Sequence, residues 1–265
     1  MNHTECGPYQ VILLSMVDSL TFVIGQPVVL KLMWSSLTSP KTPDILNTNL
    51  AVFHNIQYLI SLMHLFTLFL MPQKHGWVFS FLFVYVQIGG PMSLSFICMQ
   101  RYVAVVHPLS YPLLRKYRYS EVCAAAVWFV TLPITFIYVF TQENVNPSQE
   151  NFYYAIPSTV MVLMIMLILK SSITVVKTLR KHSPGDKTYS SKKKAFSAMQ
   201  AMLSIGMFFY LPVLLMQKIT AINEYMYICI TTPAGVMLLS LASVVHPIFV
   251  LSTQGKLFQK KRQVK

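Results

Sequence analysis

Seven long apolar runs follow one another along the chain, at roughly 11–34, 46–71, 77–106, 121–141, 153–178, 197–218 and 226–251. A helix needs about 20 such residues to cross the hydrocarbon core of a bilayer, and every run reaches that length. The connections between them are short and carry turn punctuation: Ser39-Pro40, Pro72, Pro108, Asn146-Pro147 and Ser183-Pro184-Gly185. No stretch has the length and polarity of a soluble domain. The expected fold class is all-α, a seven-transmembrane helix bundle over 11–251, between a short N-terminal segment 1–10 and a basic tail 252–265.

Composition agrees. Hydrophobic residues make up 54% of the 265 and charged residues only 11%, where soluble domains carry about 25% charged residues. The net charge of +13 does not call for nucleic acid, because what matters in a polytopic chain is which side the charges take. With the N-terminus outside, all but Lys74 and Lys218 of the 21 lysines and arginines fall on inner segments or inner helix ends. The positive-inside rule therefore puts the N-terminus outside and the tail inside. Segment 1–10 has no basic n-region and no cleavage site, so the first apolar run is expected to act as its own signal anchor. Asn2-His3-Thr4 is then an extracellular glycosylation sequon at Asn2, close to the terminus. In the tail, Leu257 and Phe258 suit a membrane-surface amphipathic helix, with Lys256, Lys260, Lys261 and Arg262 toward lipid headgroups.

One stretch stands out: Gln100-Arg101-Tyr102-Val103-Ala104, then Pro108-Leu109-Ser110-Tyr111, where an apolar run gives way to polar sequence. An arginine there is expensive unless it lies at the membrane edge or in a wet cavity. Five of the other six runs carry a mark of their own. These are Gly25-Gln26-Pro27-Val28-Val29, Asn49-Leu50-Ala51-Val52-Phe53-His54, Trp128 with Pro133, Phe209-Tyr210-Leu211-Pro212, and His246-Pro247-Ile248-Phe249-Val250.

Taken in order, one per helix, these marks resemble the rhodopsin-like G-protein-coupled receptors. There they correspond to the family's Gly-Asn-x-x-Val, Asn-Leu-Ala-x-x-Asp, Asp/Glu-Arg-Tyr, fourth-helix Trp, Cys-Trp-x-Pro and Asn-Pro-x-x-Tyr. The resemblance covers the whole helical part of the chain. It implies a plasma-membrane, multi-pass receptor that passes binding of a small-molecule ligand to a heterotrimeric G protein. Arg101 and Tyr102 would meet that protein, Leu109 would pack into it, and Lys194 would stand at the opening sixth helix and the anionic leaflet. Pro212 and Pro247 are the implied hinges. Arg101-Tyr102-Val103-Ala104 with Pro108-Leu109-Ser110-Tyr111, Lys194-Ala195-Phe196-Ser197 and Gly90-Pro91-Met92-Ser93-Leu94 also resemble odorant receptors, the last those of fish. A chemosensory role is thus the first ligand class implied.

The departures carry physical content. His54 stands where the family keeps a sodium-binding carboxylate, and neutral imidazole is a poor ligand for a hard cation. No metal and no cofactor is expected. Gln26, His54 and His246 are expected to form a polar cluster at mid-membrane; a pH-sensing or soft-metal pair is the alternative. Gln100 replaces the acid that normally holds Arg101, so charge pairing is lost and a looser resting state is expected. Val250 replaces the seventh-helix tyrosine.

The family's usual disulfide lacks both of its cysteines. Cys6 and Cys229, both toward the outside, are a candidate pair, with two free thiols as the alternative, and Cys98 and Cys123 read as packing residues. Asp18, the one acid inside a run, is either functional or solvated by Ser15, Ser19 or Thr21.

The outer halves of the helices frame a candidate ligand pocket of Gln57, His64, Phe83, Gln87, Tyr210, Gln217 and Thr232. Phe83 stands at the aspartate of amine receptors, and no arginine lies deep in the pocket to meet a phosphate. A small neutral or weakly polar ligand is expected. Three other readings stay open. A transporter needs charged residues along a path through the midplane, and only Asp18 and the histidines qualify. An enzyme needs a Ser/His pair, an Asp pair or a His-Glu-x-x-His helix, and none is present. A degenerate, non-signalling receptor fits the altered switch positions.

Overall fold

In the computed structural model, residues 8–38, 44–70, 76–144, 147–180, 189–219, 229–230 and 232–253 are described. Every element bounded among them is helical. They are α1 (Pro8–Leu37), α2 (Ile45–Leu70), α3 (Gly76–Val106), the short α4 (Tyr111–Lys116), α5 (Tyr119–Asn144), α6 (Pro147–Arg180), α7 (Tyr189–Ile205), α8 (Leu211–Ile219) and α9 (Thr232–Thr253). A π turn, Gly206–Tyr210, joins α7 to α8 without a break, so the two form one rod. The expected apolar runs match these rods to within a few residues at most ends. The larger differences are α6, which starts at Pro147 and includes the polar run after it, α7, which takes in Lys192, Lys193 and Lys194, and α9, which starts at Thr232.

Five helices are long and apolar enough to cross a membrane: Ile12–Leu37, Phe81–Val106, Tyr119–Phe140, Ser158–Thr178 and Pro233–Thr253. Their outward faces are greasy, with Val23, Trp34, Phe129, Phe136, Leu163 and Leu241 exposed. A patchwork of that size in water would mark an interface; with lipid as solvent it is the ordinary surface of a spanning bundle, whose helices satisfy their own backbone groups.

The centre is α3. In its most apolar window 78% of residues are buried, against 22–50% for the other four. It packs most extensively on α6, then on α2 and α5. Leu94, Ile97 and Cys98 of α3 lie with Met161, Ile165, Ile168 and Val175 of α6 and Met199, Met202 and Ile205 of α7 in one core. Lipid tails are as apolar as these side chains, so close fit rather than apolar transfer must hold the helices together. Two glycines show how close the fit is. A Cβ on Gly25 would run into the Tyr58 ring, and one on Gly89 into the Phe53 ring. Each lets a bulky ring of α2 lie against the backbone of its neighbour.

Pro27, Pro91, Pro133 and Pro247 lie inside α1, α3, α5 and α9, and the helices run through them. The lost backbone bonds are tolerable where neighbouring helices cover the site.

Candidate functional site

Arg101 lies in the last two turns of α3, near the edge of the most buried rod. Its guanidinium Nη2 is 3.6 Å from Asp44 Oδ2, with the two side chains 42% and 30% exposed. Asp44 is the residue just before α2. Its backbone oxygen accepts from the Thr48 N–H and hydroxyl, both at 3.0 Å. Its carboxylate accepts from Asn47 Nδ2 at 2.6 Å. It is thus an N-cap residue, where a negative charge also meets the positive end of the helix. Gln100 gives Arg101 no charge; the nearby acid is Asp44, the residue before α2. Gln100 itself turns to α5, where its Nε2 donates to Ser120 Oγ at 3.1 Å. Asp44 was missed in the sequence because a polar residue between runs reads as a loop. Its signal was Pro43-Asp44 directly before the apolar run of α2, the mark of a capped helix start.

Around Arg101 the surface is mixed. Tyr102 is partly buried, packs against the α3/α6/α7 core and lies edge-on to His107, with centroids 5.8 Å apart. Beyond it Leu109 is 91% exposed, and Leu113 and Tyr117 are exposed too. Arg118 takes a left-handed backbone, φ 54°, unusual for a bulky residue. This turns the chain from α4 into α5, and Arg118 is held there by Glu121 at 2.8 Å. An exposed apolar and basic stretch therefore follows the arginine in the chain.

Midway along the bundle lies a buried polar layer. His54 of α2 and His246 of α9 face each other, ring centroids 5.3 Å apart and tilted by 53°. Among the described residues, His54 Nε2 and both ring nitrogens of His246 have no hydrogen-bond partner. Gln26 does not hydrogen-bond to them as expected: its Nε2 donates to Asn55 Oδ1 at 2.8 Å, back across the α1/α2 seam. Among the described residues no group of three or more His, Cys, Asp or Glu could hold a metal ion. Nearby in sequence, Asn49 makes the firmest link between helices. It donates to Ser93 Oγ of α3 at 3.1 Å and accepts from Trp128 Nε1 of α5 at 2.7 Å. Trp128 also stacks on Phe53 at 4.9 Å, and Tyr85 leans on both rings.

The candidate pocket residues are partly brought together. Tyr210 is buried in the core that Phe83 packs against. Its hydroxyl lies close to Gly90, where a Cβ would stand 3.2 Å from it. Gln57 and Gln87 are buried, and Gln57 Oε1 has no hydrogen-bond partner. The backbones of His64, Gln217, Thr232 and Lys194 lie in α2, α8, α9 and α7, with side chains outside the described residues. Pro212 lies two residues beyond the π turn; between them the Leu211 N–H returns to Gly206 O, a five-residue step. Pro247 is inside α9, beside His246. Asp18 is buried in α1.

Cys229 is in a disulfide, and Cys98 and Cys123 are buried free thiols. Cys6, Asn2 and the tail beyond Thr253 lie outside the described residues. No known family profile matches the chain, and no curated protein matches it.

Proposed function

We propose that the chain is a seven-helix membrane receptor of the rhodopsin-like kind. It spans the plasma membrane with its N-terminus outside and couples binding of a small neutral or weakly polar ligand to a heterotrimeric G protein. Five helices meet the length and apolarity of a span, and the rods of α2 and of α7–α8 complete the seven. The observation that carries the reading is the position of Arg101. It sits near the end of the one rod that the others surround, with its guanidinium half-exposed and an exposed apolar, basic stretch following it in the chain. A charge exposed to lipid tails is costly even beside a partner, so a half-exposed arginine–aspartate pair there marks a wet mouth at the membrane edge. Tyr102 and the exposed Leu109 add an aromatic and an apolar contact to the same mouth.

At the far half, Phe83, Gln87 and Tyr210 offer aromatic surface and an amide without a fixed charge, which favours a neutral ligand. An odorant is the first class to try. The π turn next to Pro212 supplies the element that moves, because π turns recur at functional sites and proline leaves an acceptor of the preceding turn unpaired.

The decisive measurement is signalling in cells with readouts for each G-protein class, with and without an odorant panel. Arg101→Ala is expected to abolish both basal and evoked signal while surface expression persists. Silence of the unmodified receptor in every channel, despite normal surface expression, would leave the second reading: a receptor-like protein that no longer signals. Gln100, His54, His246 and Val250, which depart from the switch motifs, are what favour it.

A further inference from the structure

We infer that Asp44 is the positioning residue that holds Arg101 in its resting state, in place of the acid missing beside it. The inference rests on the receptor reading above and adds its regulation. Three observations meet here. The neighbouring Gln100 is committed to Ser120 on α5 and offers Arg101 no charge. Arg101 Nη2 lies 3.6 Å from Asp44 Oδ2, close enough for charge attraction though longer than a formed hydrogen bond. Asp44 is fixed from its own helix by Asn47 and by the turn through Thr48, so the anion does not have to be ordered when the arginine arrives.

A lock of this kind differs in its mechanics from one made within α3. Acid and arginine on adjacent positions move together when α3 moves. Asp44 belongs to the start of α2, so the pair spans two helices and parts when they shift against each other. Arg101 Nε is buried and has no hydrogen-bond partner among the described residues, so the contact with Asp44 does not use all the donors of the guanidinium. It keeps donors for a second acceptor, such as the backbone carbonyls of an incoming helix. The pair is half-exposed, so its grip is modest, and the resting state is held closed without being held hard. Among the described residues the Arg118–Glu121 ion pair also lies near this end; it joins the residue before α5 to the first turn of that helix and does not compete.

The test uses the full-length receptor in cells and in detergent. Asp44→Asn is expected to raise basal signal about two- to fivefold, the range in which a half-exposed ion pair biases a two-state balance. Asp44→Glu should restore the resting level, since it keeps the charge within reach. A second measurement needs no coupling: Asp44→Arg and Arg101→Asp should each lower the melting temperature, and the two together should recover it. If the double exchange recovers nothing, the pair does not exist and the inference falls, whatever the receptor does. If Asp44→Asn leaves basal signal unchanged while Arg101→Ala abolishes it, the lock falls and the receptor reading stands. If the exchange recovers stability but no variant signals in any channel, the pair is structural, and both the lock and the receptor reading are overturned.

Discussion

The side-chain amide of Asn49 serves two partners at once. Its nitrogen donates to Ser93 and its oxygen accepts from the Trp128 indole, so a single residue ties α2 to α3 and to α5. Hydrogen bonds between membrane helices average about 0.6 kcal/mol each, but the penalty for orphaning a buried group is larger, about 1–3 kcal/mol. Asn49→Ala is therefore expected to destabilise the bundle by about 1–3 kcal/mol. In a thermal double-mutant cycle with Trp128→Phe the two changes should be far from additive, because each already breaks the same bond. Additive losses would mean that the indole and the amide stabilise the bundle separately. Phe53 and Gly89 belong to the same seam. The ring stacks on Trp128 and fills the space that the missing Cβ leaves, which is why a bare backbone is needed at that point of α3.

At the scale of the element, the rod from Tyr189 to Ile219 differs most from an ideal helix. Its π turn from Gly206 to Tyr210 widens the ladder by one residue and ends two residues before Pro212. Proline cannot donate to the preceding turn, so this segment loses a backbone bond close to the widened turn. It is where the rod bends at least cost. Pro212→Ala returns a donor and stiffens the joint. The expected outcome is normal surface expression with evoked signalling reduced several-fold, read in the same G-protein assays; an unchanged response would place the moving element elsewhere. Tyr210, at the end of the π turn, lies buried beside Gly90 of α3. A shift at the joint would thus be felt at the central rod, within the candidate ligand region.

The molecule as a whole is a ring of lipid-facing rods around α3, and its topology is the broadest claim to test. An epitope placed before Met1 is expected to be reached by antibody on intact cells, and one placed after Lys265 only after permeabilisation. The reverse pattern would turn Arg101 and the stretch that follows it to the outside and remove the coupling reading. Periodicity and length alone made the helical rods legible. About 20 apolar residues leave the chain no alternative to a helix in lipid, because every backbone group must be satisfied within the segment. Arg101 was legible for the same reason, since a charge at the end of an apolar run is costly anywhere but at an edge.

The sequence could not show which side chains face each other across helices. It placed Gln26 with His54 and His246, yet the amide pairs with Asn55. It treated Arg101 as having lost its acid, yet Asp44 supplies one from 57 positions upstream. A local pattern fixes what each rod is, because backbone satisfaction is settled within the rod itself. Partners between rods depend on rotation and depth, which are set by close packing at glycines such as Gly25 and Gly89 and by single polar links such as Asn49. Those are properties of the assembled bundle, and only its tertiary structure decided them.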